Sequence, residues 1–428
     1  MPLGPCNQRR RWRIAALLGF GVLVNYFDRV NLSVSYDALN HEFGLSTVAF
    51  GFLLSAYSWT YAMCQIPSGA LLDRFGVKFI GRVSTVIWSI ASFAAAAATG
   101  VWHFFTARLL LGVGEAPTFP ANAKAVGYWF PQQERSLATA CFDAMAKFAN
   151  AIGVPLIGIL LLHVGWRWSF AATGFVSLTY FVIFFFVYRD PADDPKLSAE
   201  ERDYIKAGAA QSEGLVSSAS LAYLLTNRKV LGLAIGSAAY NYCFYLLLTW
   251  LPGYLSISLH QDLLHSVLYT SVPWAVATIT DLFFGGWLVD ALVMHGYDAS
   301  TVRQSVLIGG TSLGVAIFAA GAATTPAVAV FWITVSLGGL AAAAPVGWSI
   351  PSLIAPRGSV GRVGGVMNFA SQLAAISAPI VTGYVVARTR SFAGAFILAA
   401  IFLVIGIAAY AFLLGRIEPI PDQQVAST

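Results

Sequence analysis

Seven charged side chains stand inside long apolar runs: Asp28, Arg29, Arg108, Glu115, Asp143, Lys147 and Asp281. A charge at membrane depth costs at least about 2.5–3.5 kcal/mol on the insertion scale, so each needs a reason to be there. A carboxylic acid kept from water holds its proton to higher pH, which is what binding a proton near neutrality requires. An arginine stays charged and offers a planar fork to a carboxylate, which is what holding an organic anion requires. Static ion pairs that lock helices together are the competing account of the same residues.

Spacing narrows the roles. Arg108 and Glu115 are seven residues apart, about two helical turns, and share one face. Asp28 and Arg29 are adjacent, so on a helix their side chains diverge by about 100°. One can face a cavity while the other reaches a neighbouring helix. Asp143 lies four residues before Lys147, the favoured order for a helical ion pair. Lys147 therefore either pairs with Asp143 or meets a second carboxylate or the polar end of a bound acid. Asp281 should lie roughly 13 Å in from the helix end at Asp290, at 1.5 Å per residue. It is an extra proton site, a partner for a polar group of the second half, or a residue lining a water-filled cavity. Tyr57, Tyr61 and Gln65 recur every four residues and form one stripe. Tyr57 is read as packing; Tyr61, like Tyr26, is a candidate to stack on a carbon skeleton or bond its hydroxyls.

The elements that position these groups follow from composition. Of 428 residues 57% are hydrophobic and only 11% charged, against about 25% charged in a soluble domain. The mean hydropathy is +0.70. Apolar runs of the length needed to cross a bilayer, about 20 residues, fall near 14–34, 48–72, 79–99, 102–125, 137–162 and 167–188. A second set falls near 229–256, 264–292, 303–321, 326–352, 359–387 and 392–415. None alternates polar and apolar, which excludes a transmembrane β-barrel. The expected fold is an all-α membrane protein of twelve transmembrane helices in two six-helix halves. Its parts are a bundle over 1–188, a linker over 189–228 and a bundle over 229–428.

The net charge of +5 is distributed as a membrane protein distributes it, and gives no reason to expect nucleic acid. Arg9, Arg10, Arg11 and Arg13 precede the first run; Arg74, Lys78 and Arg82 follow the second; six more basic residues occupy the linker region. The opposite side shows only Arg167, Arg388 and Arg390. The bias places both termini and the linker in the cytoplasm. The first run carries Asp28 and Arg29 and is expected to be retained as a span rather than cleaved as a signal. In the linker, Ser198-Ala-Glu-Glu201 reads as a capping box for a short surface helix, and 212–220 as a small, polar connector. The four cysteines (Cys6, Cys64, Cys141 and Cys243) have no metal spacing, and no metal or cofactor is expected. No P-loop is present, so ATP is not the expected energy source. Gly112-Val-Gly114 and Gly338-Gly339 are expected to permit close helix packing. Pro117, Pro120, Pro155, Pro345, Pro351 and Pro379 fall within spans, where proline frees a carbonyl and permits bending.

The halves carry a faint repeat, Gly69-x-x-x-Asp73 and Gly286-x-x-x-Asp290, each at the end of the second helix of its half. Such repeated halves occur in secondary transporters. The stretch from Gly69 to Lys78 resembles the loop signature of the major facilitator superfamily. Further stretches resemble its anion:cation symporter branch, which includes bacterial uptake systems for galactonate and glucarate and the animal sialin and vesicular glutamate transporters. They are Tyr26-Phe-Asp28-Arg29, Gln65-Ile-Pro67-Ser-Gly69, Gly114-Glu115-Ala-Pro117-Thr-Phe-Pro120-Ala-Asn122, Trp129-Phe-Pro131, Glu134-Arg135, Thr249-Trp250-Leu-Pro252, Trp348-Ser349 and Asn368-Phe369. The resemblance implies Asp28 and Glu115 as protonation sites and Arg29 as a binding residue. It implies ligand contacts at Tyr26, Tyr61, Trp348, Ser349 and Asn368. It implies that Asp73, Arg74 and Lys78 form a gate. At position 147 the sugar-acid members often carry Gln, so Lys147 is a departure that bears on substrate choice.

These readings converge on proton-coupled uptake of a small organic carboxylate by a monomer in the bacterial inner membrane, not on an enzyme. Arg108 and Lys147 are counted with the binding residues. The competing readings are a proton-driven exporter of an amphipathic compound, whose cavity would need no clamp of Arg29 with Lys147, and a transporter-like sensor, which would carry a long regulatory tail.

Overall fold

The computed structural model describes residues 10–131, 135–207, 219–356 and 359–422. Cys6, Arg9, Glu134 and most of the 212–220 connector lie outside them, as do the side chains of Asp73, Arg135 and Asp290. Among the described residues there are helices and no strands. Continuous apolar sequence leaves the backbone one way to satisfy its own polar groups, within each helix.

Divided at their breaks, and leaving aside the short helices Tyr36–Phe43, Ala199–Ala207 and Leu221–Thr226, the helices of the described residues are numbered below as spans in chain order. The first span is Arg10–Val34. The second and third are 47–75 and 77–96, one unbroken run of helix but for Gly76. The fourth is Val101–Glu115 continued by Thr118–Trp129. The fifth and sixth, 135–164 and 166–187, are separated only by Gly165. The seventh is Arg228–Leu259. The eighth runs from Leu263–Thr280 through a π-helical turn at Asp281–Leu288 into Val289–Met294. The ninth is Ala299–Gly314 with Ile317–Ala320, the tenth Pro326–Ile354, the eleventh Val360–Thr389. The twelfth is Ala393–Ala408 with the π-turn Ala409–Leu414. By length and composition alone, eight helices among the described residues can cross a membrane. The run 138–187 counts once there although Gly165 divides it, and the fourth is absent because its break leaves two pieces of 15 and 12 residues.

Two expectations need correction. The stretch read as a loop after the second span is helix on both sides of Gly76, whose φ of 74° and ψ of 167° turn the chain within one residue. Gly165, at φ 78° and ψ 171°, does the same between the fifth and sixth spans. A side chain would be strained in that conformation, and glycine is not. The fourth span, expected to be continuous, breaks at Ala116 and Pro117. Pro117 caps the second piece and Pro120 falls in its first turn. Pro155, Pro345, Pro351 and Pro379 by contrast stay inside helices.

Helix starts carry the expected caps. Ser46 Oγ accepts from Ala49 N at 3.1 Å, Asp262 Oδ1 from His265 N at 2.8 Å, and Asp298 Oδ2 from Thr301 N at 2.9 Å. The predicted linker helix forms at Ala199–Ala207, with Ser198 Oγ accepting from Glu201 N at 3.2 Å. The N-terminal arginines bind this linker. Arg10 Nε donates to Asp194 at 2.8 Å, and Arg11 pairs with Glu201 at 2.9 Å. At its other end the linker meets the second half, where Ala219 N donates to Ser359 Oγ at 2.8 Å.

Small residues set how closely the helices approach. A Cβ on Gly112 would lie 2.1 Å from the Tyr57 carbonyl, and one on Gly114 2.6 Å from Trp88 N. The second, third and fourth spans therefore meet backbone to backbone around Glu115, as the glycine pattern led one to expect. Gly339 does the same against Leu313 and Gly310. The halves meet closely at the end away from the termini. There a Cβ on Gly51 would lie 2.6 Å from the Pro379 carbonyl, and one on Gly383 2.6 Å from the Thr47 carbonyl. Thr47 Oγ1 donates to Gly383 O at 3.2 Å, and Ser256 Oγ donates to Asp37 Oδ2 at 3.1 Å.

Candidate functional site

Asp28 and Arg29 part as adjacent helical residues must. Asp28 turns into the first half, accepting from Ser92 Oγ of the third span at 2.7 Å and from Ser177 Oγ of the sixth at 3.0 Å. It is 1% exposed. Two neutral hydroxyls solvate the carboxylate without neutralising its charge.

Arg29 turns the other way. Its Nε lies 2.9 Å from Glu115 Oε2, and its guanidinium sits inside three tyrosine rings. The ring centroids are 4.4 Å away for Tyr26, 4.6 Å for Tyr57 and 5.5 Å for Tyr61. Rings at this range stabilise a cation by roughly 0.5–2 kcal/mol and leave its edge donors free. Arg29 Nη2 and Glu115 Oε1 are buried without a hydrogen-bond partner. A dry donor beside a dry acceptor is an arrangement that a ligand carboxylate and a proton would complete. Glu115 is the last residue of its helical piece, so the break after it frees backbone groups at the same place. Gln65 uses one of them, donating to the Ala116 carbonyl at 3.3 Å, and Asn368 of the eleventh span donates to Gln65 Oε1 at 3.2 Å. Asn368 thus brings the second half to the site.

Tyr57, read from sequence as packing, stands nearer to Arg29 than Tyr61 does. The stripe of Tyr57, Tyr61 and Gln65 was the signal, and all three of its members reach the site. Tyr245 of the seventh span, which the sequence did not single out, lies within electrostatic reach of Arg29 and Glu115. Arg108 shares a face with Glu115 but spends a donor on the main-chain oxygen of Asp28, at 3.0 Å, tying the fourth span to the first. Ser349 Oγ donates to Val346 O at 2.7 Å within its own helix, and Trp348 is 42% exposed. Arg74 lies over the Phe75 ring at 5.2 Å, and Lys78 is half-buried.

Lys147 resolves differently from either alternative taken alone. Its Nζ is 2.5 Å from Asp143 Oδ2 and also 2.7 Å from Asp281 Oδ2. Asp281 therefore partners a cation of the first half rather than a polar group of the second, and it is fully buried rather than lining open water. Among the described residues no three His, Cys, Asp or Glu side chains are placed to hold a metal.

The model of the Major Facilitator Superfamily matches residues 18–376. The chain belongs to the major facilitator superfamily. It is 39% identical to a protein of Bacillus subtilis (strain 168) described as an uncharacterized transporter, over 96% of this chain and 95% of that one. It is 30% identical to the D-galactonate transporter of Escherichia coli O6:H1, over 96% and 97%. It is 32% identical to a probable galactarate/D-glucarate transporter of Escherichia coli (strain K12), over 95% of each. Among solved structures it resembles a bacterial homolog of the lysosomal transporter Spinster, with a TM-score of 0.72 at 17% identity over 95% and 97% of the two chains. A D-xylose-proton symporter also scores 0.72, at 16% identity over 95% and 98%. This superfamily member is a multi-pass membrane transporter and not an enzyme.

Proposed function

We propose that the chain takes up a small organic carboxylate, of the sugar-acid class, together with protons by alternating access. The observation that carries this is Arg29: caged by three tyrosines, paired through Nε with Glu115, and holding one dry, unused nitrogen. Glu115 and a substrate carboxylate compete for the same guanidinium. Protonating Glu115 removes its charge, and the fork can then close on the substrate with two hydrogen bonds. Proton and anion thus bind better together than alone, which is symport stated as linkage. Asp28 is the second protonation site, and Tyr26, Tyr61, Asn368, Trp348 and Ser349 face the substrate. The two relatives named for sugar acids support the substrate class.

The backbone contacts of Gly51 with Pro379 and Gly383 with Thr47 close the end away from the termini. With both termini in the cytoplasm, this closed end is the outer one, and the first six spans rock against the last six. Asp73, Arg74 and Lys78 then latch the cytoplasmic end when the cavity faces out. The protein acts as a monomer in the inner membrane.

The test is uptake into proteoliposomes under an imposed pH gradient, with labelled D-galactonate, D-glucarate, tartrate and an aromatic acid. Accumulation of one acid that collapses with the pH gradient supports symport. Absence of uptake under both proton and sodium gradients, from folded protein, sinks it.

A further inference from the structure

Lys147, Asp143 and Asp281 form a second buried charge cluster, and its charges do not cancel. Around Arg29 the acids Asp28 and Glu115 face the bases Arg29 and Arg108. At Lys147 two carboxylates share one ammonium, at 2.5 Å and 2.7 Å. With every group ionised the cluster holds one negative charge too many, in a place where Asp281 is 0% and Lys147 3% exposed. An uncompensated buried charge is strongly unfavourable. Such a site draws in a cation or gives up a charge, and repels an added substrate carboxylate.

The local geometry says which group adjusts. Asp143 accepts a hydrogen bond from Lys147 Nζ. Both oxygens of Asp281 are buried with no hydrogen-bond partner, although Nζ is within ion-pair distance of one of them. Asp281 also begins the π-helical turn of the eighth span, a local widening that re-aims the side chains it carries. The turn packs against the fifth and tenth spans. The fifth brings Asp143 and Lys147; the tenth, residues 326–354, contains no ionisable side chain. Tyr240 of the seventh span lies in electrostatic reach of all three charged groups, and Tyr26 of the first in reach of Lys147 and Asp143. No further cation among these groups can balance the second carboxylate.

We infer that Asp281, sharing Lys147 with Asp143, is a further proton-binding site, placed where the two halves of the transporter meet. Binding a proton turns its carboxylate into a neutral acid and leaves Asp143 and Lys147 as a balanced pair. The ion pair joining the fifth and eighth spans weakens at the same moment, so a proton taken up there loosens the joint between the halves. The inference stands on the fold and the charge count, and not on the substrate or on the roles of Asp28 and Glu115.

The experiment is pH-titrated infrared difference spectroscopy of the full-length protein in lipid nanodiscs, without substrate. The probe is the carbonyl stretch of a protonated carboxyl group. Wild type is expected to show such a band growing as pH falls. Asp281→Asn should remove one component of it. Asp143→Asn should remove the same component, because one carboxylate and one lysine then balance. Lys147→Met should move it to higher pH. Asp281→Glu should shift the band rather than abolish it, and replaces the amide variant if that fails to fold. A spectrum of Asp281→Asn that matches wild type overturns the inference. So does an Asp143→Asn protein that keeps the component.

Discussion

Arg29 Nε and Glu115 Oε2 lie 2.9 Å apart, and both side chains are closed off from solvent. The pair joins the first and fourth spans, but it is not sealed as a structural ion pair would be. Each partner keeps one buried atom without a hydrogen bond. A purely structural bridge gains most when every donor and acceptor is used. Unused capacity on both sides of the same contact is what the proposed exchange of Glu115 for a substrate carboxylate would use.

Glu115→Gln should therefore uncouple the protein. Uptake driven by the pH gradient is expected to fall at least about tenfold, which corresponds to roughly 1.4 kcal/mol. Exchange of labelled for unlabelled substrate at equal pH should persist. Loss of both activities in folded protein would assign Glu115 to substrate binding instead.

Arg29→Lys keeps the charge and loses the planar fork and its fit among the rings of Tyr26, Tyr57 and Tyr61. Substrate affinity should weaken by about tenfold or more. Tyr57→Phe, which keeps the ring over Arg29, should change it far less than Tyr57→Ala. Binding by isothermal calorimetry distinguishes these outcomes.

The diverging directions of Asp28 and Arg29 were legible from sequence, and the pairing of Asp281 with Lys147 across the halves was not. Adjacent charges on a helix must diverge, so the separate destinations of Asp28 and Arg29 followed from periodicity. The capping box at Ser198 was equally local. Asp281 was visible as an expensive charge, but its partner sits on another helix of the other half, and no periodicity links the two. Tyr57 was read as packing because aromatic residues abound in this chain; that its ring lies over Arg29 depends on a neighbouring helix that its own periodicity does not specify. The one-residue turns at Gly76 and Gly165 depend on a positive φ that apolar patterning does not reveal.

Gly112→Ala should destabilise the protein. The new Cβ would meet the Tyr57 carbonyl at 2.1 Å, and the backbone has nowhere to retreat. Overpacking of this kind costs about 1–3 kcal/mol. Gly309→Ala, where a Cβ would meet nothing within 4 Å, should be neutral or stabilising. Thermal unfolding in one detergent compares them directly.

Gly383→Leu should force apart the end away from the termini, because a side chain there would strike the Thr47 carbonyl. Spin labels at His41 and His265, both exposed, should show a longer distance than in the parent protein. An unchanged distribution would mean that this contact does not hold the end closed.

Acid should loosen the short helix Tyr36–Phe43. The Trp166 indole at 2.6 Å and the Arg167 guanidinium at 3.0 Å donate to Glu42, and together they hold its carboxyl below the usual range. A depressed acid contributes stability above its unfolded value and loses it as pH falls through the folded one. Melting curves of Glu42→Gln and wild type should converge at low pH and separate near neutrality.

The linker between the halves is fastened at both ends, by Asp194 and Glu201 to the N-terminal arginines and by Ala219 to Ser359 and Arg362. Each fastening belongs to one half and travels with it. Because each fastening stays within one half, the linker's contacts need not break when the halves shift, and through them the linker favours neither arrangement. Severing it should leave two pieces that still find each other in the same membrane.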